Sequence, residues 1–371
     1  MRLEPFLLER FLSPREFRAR RTLSSSDCEA LSMSELLAGA DDESRAMWRD
    51  LRLGYTETQG HPLLRQEIAG LYSGVAADEV IELVPGEGVF LAMTALLSPG
   101  DHVVVTWPAY QSLHSVARSI GCRVSTWAPE DESWRFDPAR LRSLVAAAGG
   151  AKLVVVNFPH NPTGWLPAAG EMVEIAAIAR EAGAWLFSDE MYRMLELDPA
   201  TRLTCAAELY ERAVALGGLS KSFGAPGLRV GWLVARDAGL RARIAELKDY
   251  TTICGSGPSE VLGLMVLRAR ESILERQVGI VRRNLAAVDR FLARAPGFAR
   301  WSPPRAGSIG LAGLEGGRSA AALCDKLLEE TGLLLVPSTV FDFGDGHVRL
   351  GLGRADLGDG LDELAAWLGA R

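Results

Sequence analysis

The sequence predicts an α/β protein, with a larger domain built on a mostly parallel sheet flanked by helices and a smaller α+β domain. Three observations carry that expectation. Short β-branched runs alternate with helical patterns between about residues 80 and 240, the pattern then turns helical, and from Arg300 onward short strands and helices resume. Alternation of this kind builds parallel sheets, because parallel neighbours are joined by a long crossover that a helix supplies. At 371 residues and 48% hydrophobic composition, the chain has enough apolar material for more than one core.

The elements follow in order. The first 50 residues hold no sheet of their own and are expected to pack on the rest. His102–Trp107, Cys122–Trp127, Lys152–Phe158, Ala184–Glu190, Ala213–Leu219 and the Val-Gly-Trp-Leu-Val-Ala run ending at Ala235 read as strands. Between them, Ala168–Gly183 repeats apolar residues at three- and four-residue spacing, the signature of a helix packed on a sheet. Leu240–Tyr250, Ser259–Arg268 and the long Glu271–Ala295 read as helices, the last connecting the two domains. A strand near His347–Gly353 and a helix at Leu357–Leu368 close the chain. The domains are drawn at 51–275 for the larger, and 1–50 with 276–371 for the smaller.

Composition excludes several functions. Forty basic against 47 acidic residues give a net charge of −7, with no basic run to follow a phosphate backbone, so nucleic acid is not an expected partner. Cys28, Cys122, Cys205, Cys254 and Cys324 lie far apart, without a CxxC pair or a histidine at ligand spacing. Neither a metal site nor a disulfide framework is expected, and the thiols read as those of a reduced, cytoplasmic protein. Glu4, Pro5, Glu9 and Arg10 interrupt the apolar N-terminus, which denies it a signal-peptide core. No apolar run is long enough to span a bilayer, so no membrane is expected as a partner.

In open α/β sheets ligands bind beyond the carboxyl ends of the strands. The most informative segment there is Gly217–Trp232, where Lys221 follows a strand and Arg229 lies eight residues later in a Pro-Gly-x-Arg-x-Gly frame. A lone lysine is usually a solvated surface charge. This one sits among Ser, Gly and Pro between two apolar strands, which favours a partly desolvated amine. Desolvation and a nearby cation lower an amine's pKa and make it a Schiff-base nucleophile. Arg229 supplies such a cation and a bidentate grip on phosphate.

Here the sequence resembles pyridoxal-phosphate enzymes of fold type I, specifically the class I and II aminotransferases. The motifs arrive in family order over nearly the whole chain. They are Tyr55-Thr-Glu-Thr-Gln-Gly60 with Leu64-Arg65, Pro108-Ala-Tyr110, Asn157-Phe-Pro-His-Asn161-Pro-Thr-Gly164, Asp189-Glu-Met-Tyr192, Ser220-Lys221 with Arg229, and Val348-Arg349-Leu-Gly351. The resemblance implies a homodimer that moves an amino group between an L-amino acid and a 2-oxo acid. Lys221 would carry pyridoxal 5'-phosphate and move the substrate α-proton, and Asp189 would pair with the pyridinium nitrogen. Tyr192 and Asn161 would bond the cofactor's phenolic oxygen, Tyr110 would stack on its ring, and Arg349 would clamp the substrate carboxylate with Asn161 nearby. Tyr55 would reach the phosphate of the neighbouring subunit. Asp189 also suits a helix cap, Asn161 a turn before Pro162, and Tyr110 ordinary core packing.

Two features depart from the family's phosphate cup. Gly218 stands three residues before the lysine, where the family commonly has Ser or Thr. The family's glycine turn falls on Val84-Pro85-Gly86-Glu87, or with a small shift on Gly86-Glu87-Gly88, and Pro85 has no N–H to give. Backbone donors at that helix start, with Arg229, Tyr55, Ser220 or water, are expected to make up the loss.

The substrate end points elsewhere. Ser24-Ser-Ser-Asp27-Cys-Glu29, the NFPHNP run and Asp249-Tyr-Thr-Thr252 resemble the capreomycidine synthases, fold type I enzymes that cyclise a hydroxylated arginine. Asp27 and Glu29 would then receive a guanidinium or ammonium group; the same cluster also suits a helix cap before Leu31–Leu37. A cyclase, lyase or oxidase acting on an arginine-like amino acid is therefore the alternative function. A transcriptional regulator on the same fold would need a DNA-binding module ahead of Tyr55, and only about 50 acidic-to-neutral residues stand there.

Overall fold

The computed structural model describes residues 2–369. Strand β1 (Arg21–Thr22) precedes the strands of the main sheet: β2 (Val80–Leu83), β3 (His102–Thr106), β4 (Arg123–Trp127), β5 (Leu153–Asn157), β6 (Trp185–Asp189), β7 (Ala213–Gly218) and β8 (Gly231–Ala235). These form one seven-stranded sheet in the order β2-β8-β7-β6-β5-β3-β4. The pairs β7–β6, β6–β5, β5–β3 and β3–β4 are parallel, while β8 runs antiparallel to both its neighbours. Every residue of β3, β5, β6, β7 and β8 is buried, as expected of strands covered by helices on both faces. Strand β2 is an addition to the sequence reading. Its four residues include the buried Glu82, which breaks the apolar continuity a strand search relies on.

A second sheet contains β9 (Phe298–Trp301), β10 (Ile309–Leu314), β12 (Val336–Pro337) and β13 (His347–Gly351), antiparallel in the order β12-β13-β10-β9. The N-terminal segment contributes to this region, since β1 pairs in parallel with β11 (Leu333–Leu334). A short helix, α1 (Leu7–Leu12), precedes β1, whereas α2 (Met33–Gly39) and α3 (Asp42–Arg49) lie against the helix Gly257–Arg268 of the main-sheet side. Arg268 anchors them through Asp41 and Glu43, each at 2.8 Å. The long helix Arg270–Leu292 then passes to the second sheet and packs on the final helix, Leu357–Gly369. Among the described residues no helix is long and apolar enough to cross a membrane.

Candidate active site

Register brings the carboxyl ends of the parallel strands together. Asn157 at the end of β5 lies directly beside Asp189 at the end of β6, and Lys221 follows β7. The Asn157 amide donates to the Asp189 carbonyl at 2.9 Å, while its oxygen accepts from the Asn161 N–H at 2.8 Å. One side chain thus ties the strand ends and positions the loop that presents Asn161. Buried His160 braces the same loop, its ring nitrogens meeting Thr163 Oγ1 at 2.7 Å and the Pro108 carbonyl at 2.8 Å. Burial pushes its pKa down to about 3. Gly164 is required where the loop closes: its φ is +70°, and a Cβ there would lie 2.5 Å from the Ile309 carbonyl oxygen.

The Asp189 carboxylate is buried and accepts from the Met191 N–H at 3.1 Å. Burial raises its pKa to about 6, against the opposing pull of that N–H and of Lys221. The Lys221 amine donates to Ser26 Oγ at 2.9 Å. Burial lowers its pKa; Asp27 opposes the shift and Arg349 reinforces it. Tyr192, also buried, has its phenol pushed upward by burial.

Arg349 on β13 is 2% exposed. Its Nε and Nη2 donate to the Ser24 carbonyl at 3.2 and 2.9 Å, and Ser24 Oγ returns a bond to the Arg349 carbonyl at 2.5 Å. Residues 23–29 run as an extended strap beside β13 and the loop after it. A Cβ on Gly351 would sit 2.2 Å from the Ser25 carbonyl oxygen, and one on Gly353 2.3 Å from that of Asp27, so both glycines permit the strap's approach. The helix-cap alternative for Ser24–Glu29 is not what forms. Ser32 and Glu35 make the capping box of α2 instead.

On the phosphate side the helix Pro85–Leu96 begins at Pro85, which puts Gly86, Glu87 and Gly88 in its first turn. The Glu87 carboxylate is engaged with the Val84 N–H and the Thr251 and Thr252 hydroxyls, so only its backbone N–H can serve an anion. A Cβ on Gly86 would meet nothing within 4 Å. At Gly218 a Cβ would lie 3.0 and 3.1 Å from Met191 Cε and Sδ and 3.1 Å from Pro85 Cγ. The proline ring and the methionine therefore occupy the space of the missing hydroxyl. Arg229 is exposed, in the left-handed region at φ 57°, and lines a cavity of about 490 Å³ with Val84, Glu87, Thr252 and Ser256.

Tyr55 is 89% exposed. Asp27 borders the site but is paired with Arg354 at 2.9 Å, and the Glu29 carboxylate is turned to the Ala355 N–H at 2.8 Å. That turn takes Glu29 out of the group expected to meet a cationic side chain. Tyr110 donates its hydroxyl to Glu9 at 3.3 Å. Ser24, Ser26, Asn157 and Glu9 are additions to the sequence reading. Asn157, Ser24 and Ser26 stood inside quoted motifs, whereas nothing in the spacing of Glu9 marked it.

Around Lys221 and Asp189, the buried Asn161 Oδ1, Tyr192 hydroxyl, Ser220 Oγ and Arg349 Nη1 have no hydrogen-bond partner among the described residues. Unpaired buried polar atoms are costly, so their gathering at one place marks a site built for a polar ligand. Residues 23–359 match the family model described as aminotransferase class I and II. The capreomycidine synthase of Streptomyces vinaceus is 30% identical over 98% of this chain and 93% of its own length. The valine–pyruvate aminotransferase of Mycobacterium tuberculosis is 29% identical over 94% of this chain and 93% of its own. A solved PLP-dependent aminotransferase from Streptococcus suis superposes with a TM-score of 0.92 at 29% identity, covering 100% of this chain and 99% of that one. The match spans the strap, the lysine loop and the β13 arginine alike, and the chain belongs to the class I and II aminotransferases, enzymes that depend on pyridoxal 5'-phosphate.

Proposed function

We propose that the chain transfers an amino group between an L-amino acid and a 2-oxo acid, with Lys221 as the reacting amine. The observation that carries this reading is the set of unpartnered buried groups on the loops and strand ends around Lys221 and Asp189: Asn161 Oδ1, the Tyr192 hydroxyl, Ser220 Oγ and Arg349 Nη1. They fit pyridoxal phosphate. Asn161 Oδ1 and the Tyr192 hydroxyl suit its ring oxygen, and Asp189 suits its protonated ring nitrogen. Ser220, Arg229 and the N–H groups of Gly86 and Glu87 suit its phosphate. When bound, the cofactor supplies an electron sink for the carbanion left at the substrate α-carbon.

The chain's own residues do the rest. Arg349 keeps Nη1 free for the substrate carboxylate while Ser24 fixes its other nitrogens. That fixes the α-carbon relative to Lys221, whose pKa is lowered by burial, which favours the neutral amine that can accept a proton. Asp189, held against Met191, maintains the charge that keeps the ring nitrogen protonated. Burial of Tyr192 and Asn161 excludes competing water.

We further propose a homodimer, supported by the exposure of Leu53, Tyr55 and Tyr250 at 87%, 89% and 91%. Tyr55 of each subunit would then serve the phosphate cavity of the other. The domain division we propose is 51–275 against 1–50 with 276–371, except that α2 and α3 go with the larger domain, on whose helix Gly257–Arg268 they lie, and the free state of all five cysteines supports a cytoplasmic setting.

Likeness to capreomycidine synthase favours a second reading, a cyclase, lyase or oxidase on an arginine-like substrate. Mixing the holoenzyme with single amino acids separates the two. Transamination bleaches the visible absorbance and a 2-oxo acid restores it. Release of ammonia or a cyclic product without that cycle would overturn the first reading.

A further inference from the structure

Helix α1 is held from two sides, beside Tyr110 and beside the ring under Arg349. Gln111 accepts from the Leu7 N–H at 2.7 Å and donates to the Pro5 carbonyl at 2.9 Å, and the Phe6 ring lies 5.0 Å from that of Tyr110. On the other side Leu8 packs in one apolar cluster with Val336, Val340 and Phe341. Phe341 in turn lies under the Arg349 guanidinium, 5.4 Å from ring to cation. Between these anchors Glu9 meets the Tyr110 hydroxyl at 3.3 Å. Its negative charge reaches Lys221, Arg349 and Tyr110, opposing the downward shifts of the two cations and adding to the upward shift of the phenol.

The acids around the site differ in what already holds them. Asp189 is bonded to Met191 and faces Lys221, Asp27 is paired with Arg354, and Glu29 is turned to Ala355. Glu9 has no ion pair among the described residues. It is an exposed acid whose only side-chain hydrogen-bond partner among the described residues is the neutral hydroxyl of Tyr110.

We propose that Glu9 is the specificity-determining acid of this pocket, and that the amino donor carries a guanidinium or ammonium group at the end of its side chain. The substrate's carboxylate goes to Arg349 and its distal cation to Glu9, so a donor with charges at both ends is recognised along its length. A cation at Glu9 gains a charge-assisted bond that a neutral side chain cannot make. The assignment deepens the aminotransferase reading and rests on it.

The test uses the holoenzyme and 5-guanidinovalerate, which carries both charges but lacks the amino group and cannot react. Calorimetry should show it binding more tightly than hexanoate. Glu9→Gln should weaken it by about two- to fivefold, the worth of an ion pair at an exposed carboxylate. The KM for L-arginine or L-lysine should rise in the variant by a similar factor, with no comparable rise for L-norleucine. Equal affinity for guanidinovalerate and hexanoate in the wild type, or equal weakening of both in the variant, would overturn the assignment. The outcomes also separate the two readings. If guanidinovalerate depends on Glu9 but arginine yields ammonia or a ring, Glu9 stands and transamination falls. If neutral donors are transaminated without charge selectivity, transamination stands and Glu9 falls.

Discussion

The Lys221 amine and the Ser26 hydroxyl meet at 2.9 Å, which ties the lysine loop after β7 to the strap beside β13. Burial disfavours the charged amine, Asp27, Asp189 and Glu9 favour it, and the hydrogen bond accepted by Ser26 acts on the same side as those acids. Ser26→Ala should lower the pH at which this amine titrates in the cofactor-free protein. The pH dependence of its reductive methylation reads that directly, and an unchanged profile would show that the contact does not hold the charge. Lys221→Ala should lose the borohydride-trapped bond altogether; trapping retained at another lysine would move the reactive amine elsewhere.

Pro85 and Gly218 form a matched pair. With a Cβ at Gly218 only 3.1 Å from Pro85 Cγ and 3.0 Å from Met191 Cε, Gly218→Ser should overpack the phosphate side and cost about 1–3 kcal/mol. Pro85→Ala removes the ring and restores a backbone donor. The double variant should recover part of the loss and hold the cofactor more tightly than Pro85→Ala alone. Melting temperatures and cofactor dissociation constants around the cycle check this, and strictly additive effects would dissolve the pairing.

That pairing shows where sequence reading ends. The positions of the main-sheet strands after β2, the lysine loop and the β13 arginine were legible because each depends on local pattern or on a motif with fixed spacing. The absence of a hydroxyl at 218 was legible too, but its cause was not, since Pro85 and Met191 reach it only through the fold. The contacts of Ser24, Ser26 and Glu9 were hidden for the same reason, although the Ser24–Glu29 segment itself stood out. These residues meet Arg349, Lys221 and Tyr110 across sequence separations of 325, 195 and 101 residues. Glu29, by contrast, carried the right chemistry in the right segment, and one rotation toward Ala355 removes it.

Arg349 serves two partners, and a lysine cannot. Its planar fork holds the Ser24 carbonyl through Nε and Nη2 while Nη1 stays free. Arg349→Lys should therefore raise the KM for the amino donor by about tenfold or more, the value of a charge-assisted bond, while cofactor content stays near that of the wild type. Steady-state kinetics with the absorbance of the bound cofactor tests both halves. Cofactor loss in step with the KM change would place this arginine at the phosphate instead.

Asp189 should limit the stability of the cofactor-free protein. Its folded pKa of about 6 lies above the ordinary value of 3.8, so the folded state binds the proton more tightly than the unfolded chain. Below pH 4 both states are protonated and the burial cost of the charge is absent. It grows as pH rises from 4 to 6 and is fully present above 6, at about 3 kcal/mol from roughly 1.4 kcal/mol per pKa unit. Asp189→Asn is neutral at every pH and can still accept from the Met191 N–H. The cofactor-free variant should therefore be more stable than the wild type at pH 8, by that order, with the difference vanishing near pH 4. With cofactor bound the sign should reverse, because the ring nitrogen then loses its anionic partner and both cofactor affinity and turnover should fall. Denaturant melts of both forms across this pH range provide the measurement. A cofactor-free variant no more stable than the wild type at pH 8 would mean that the charge is solvated better than its burial implies.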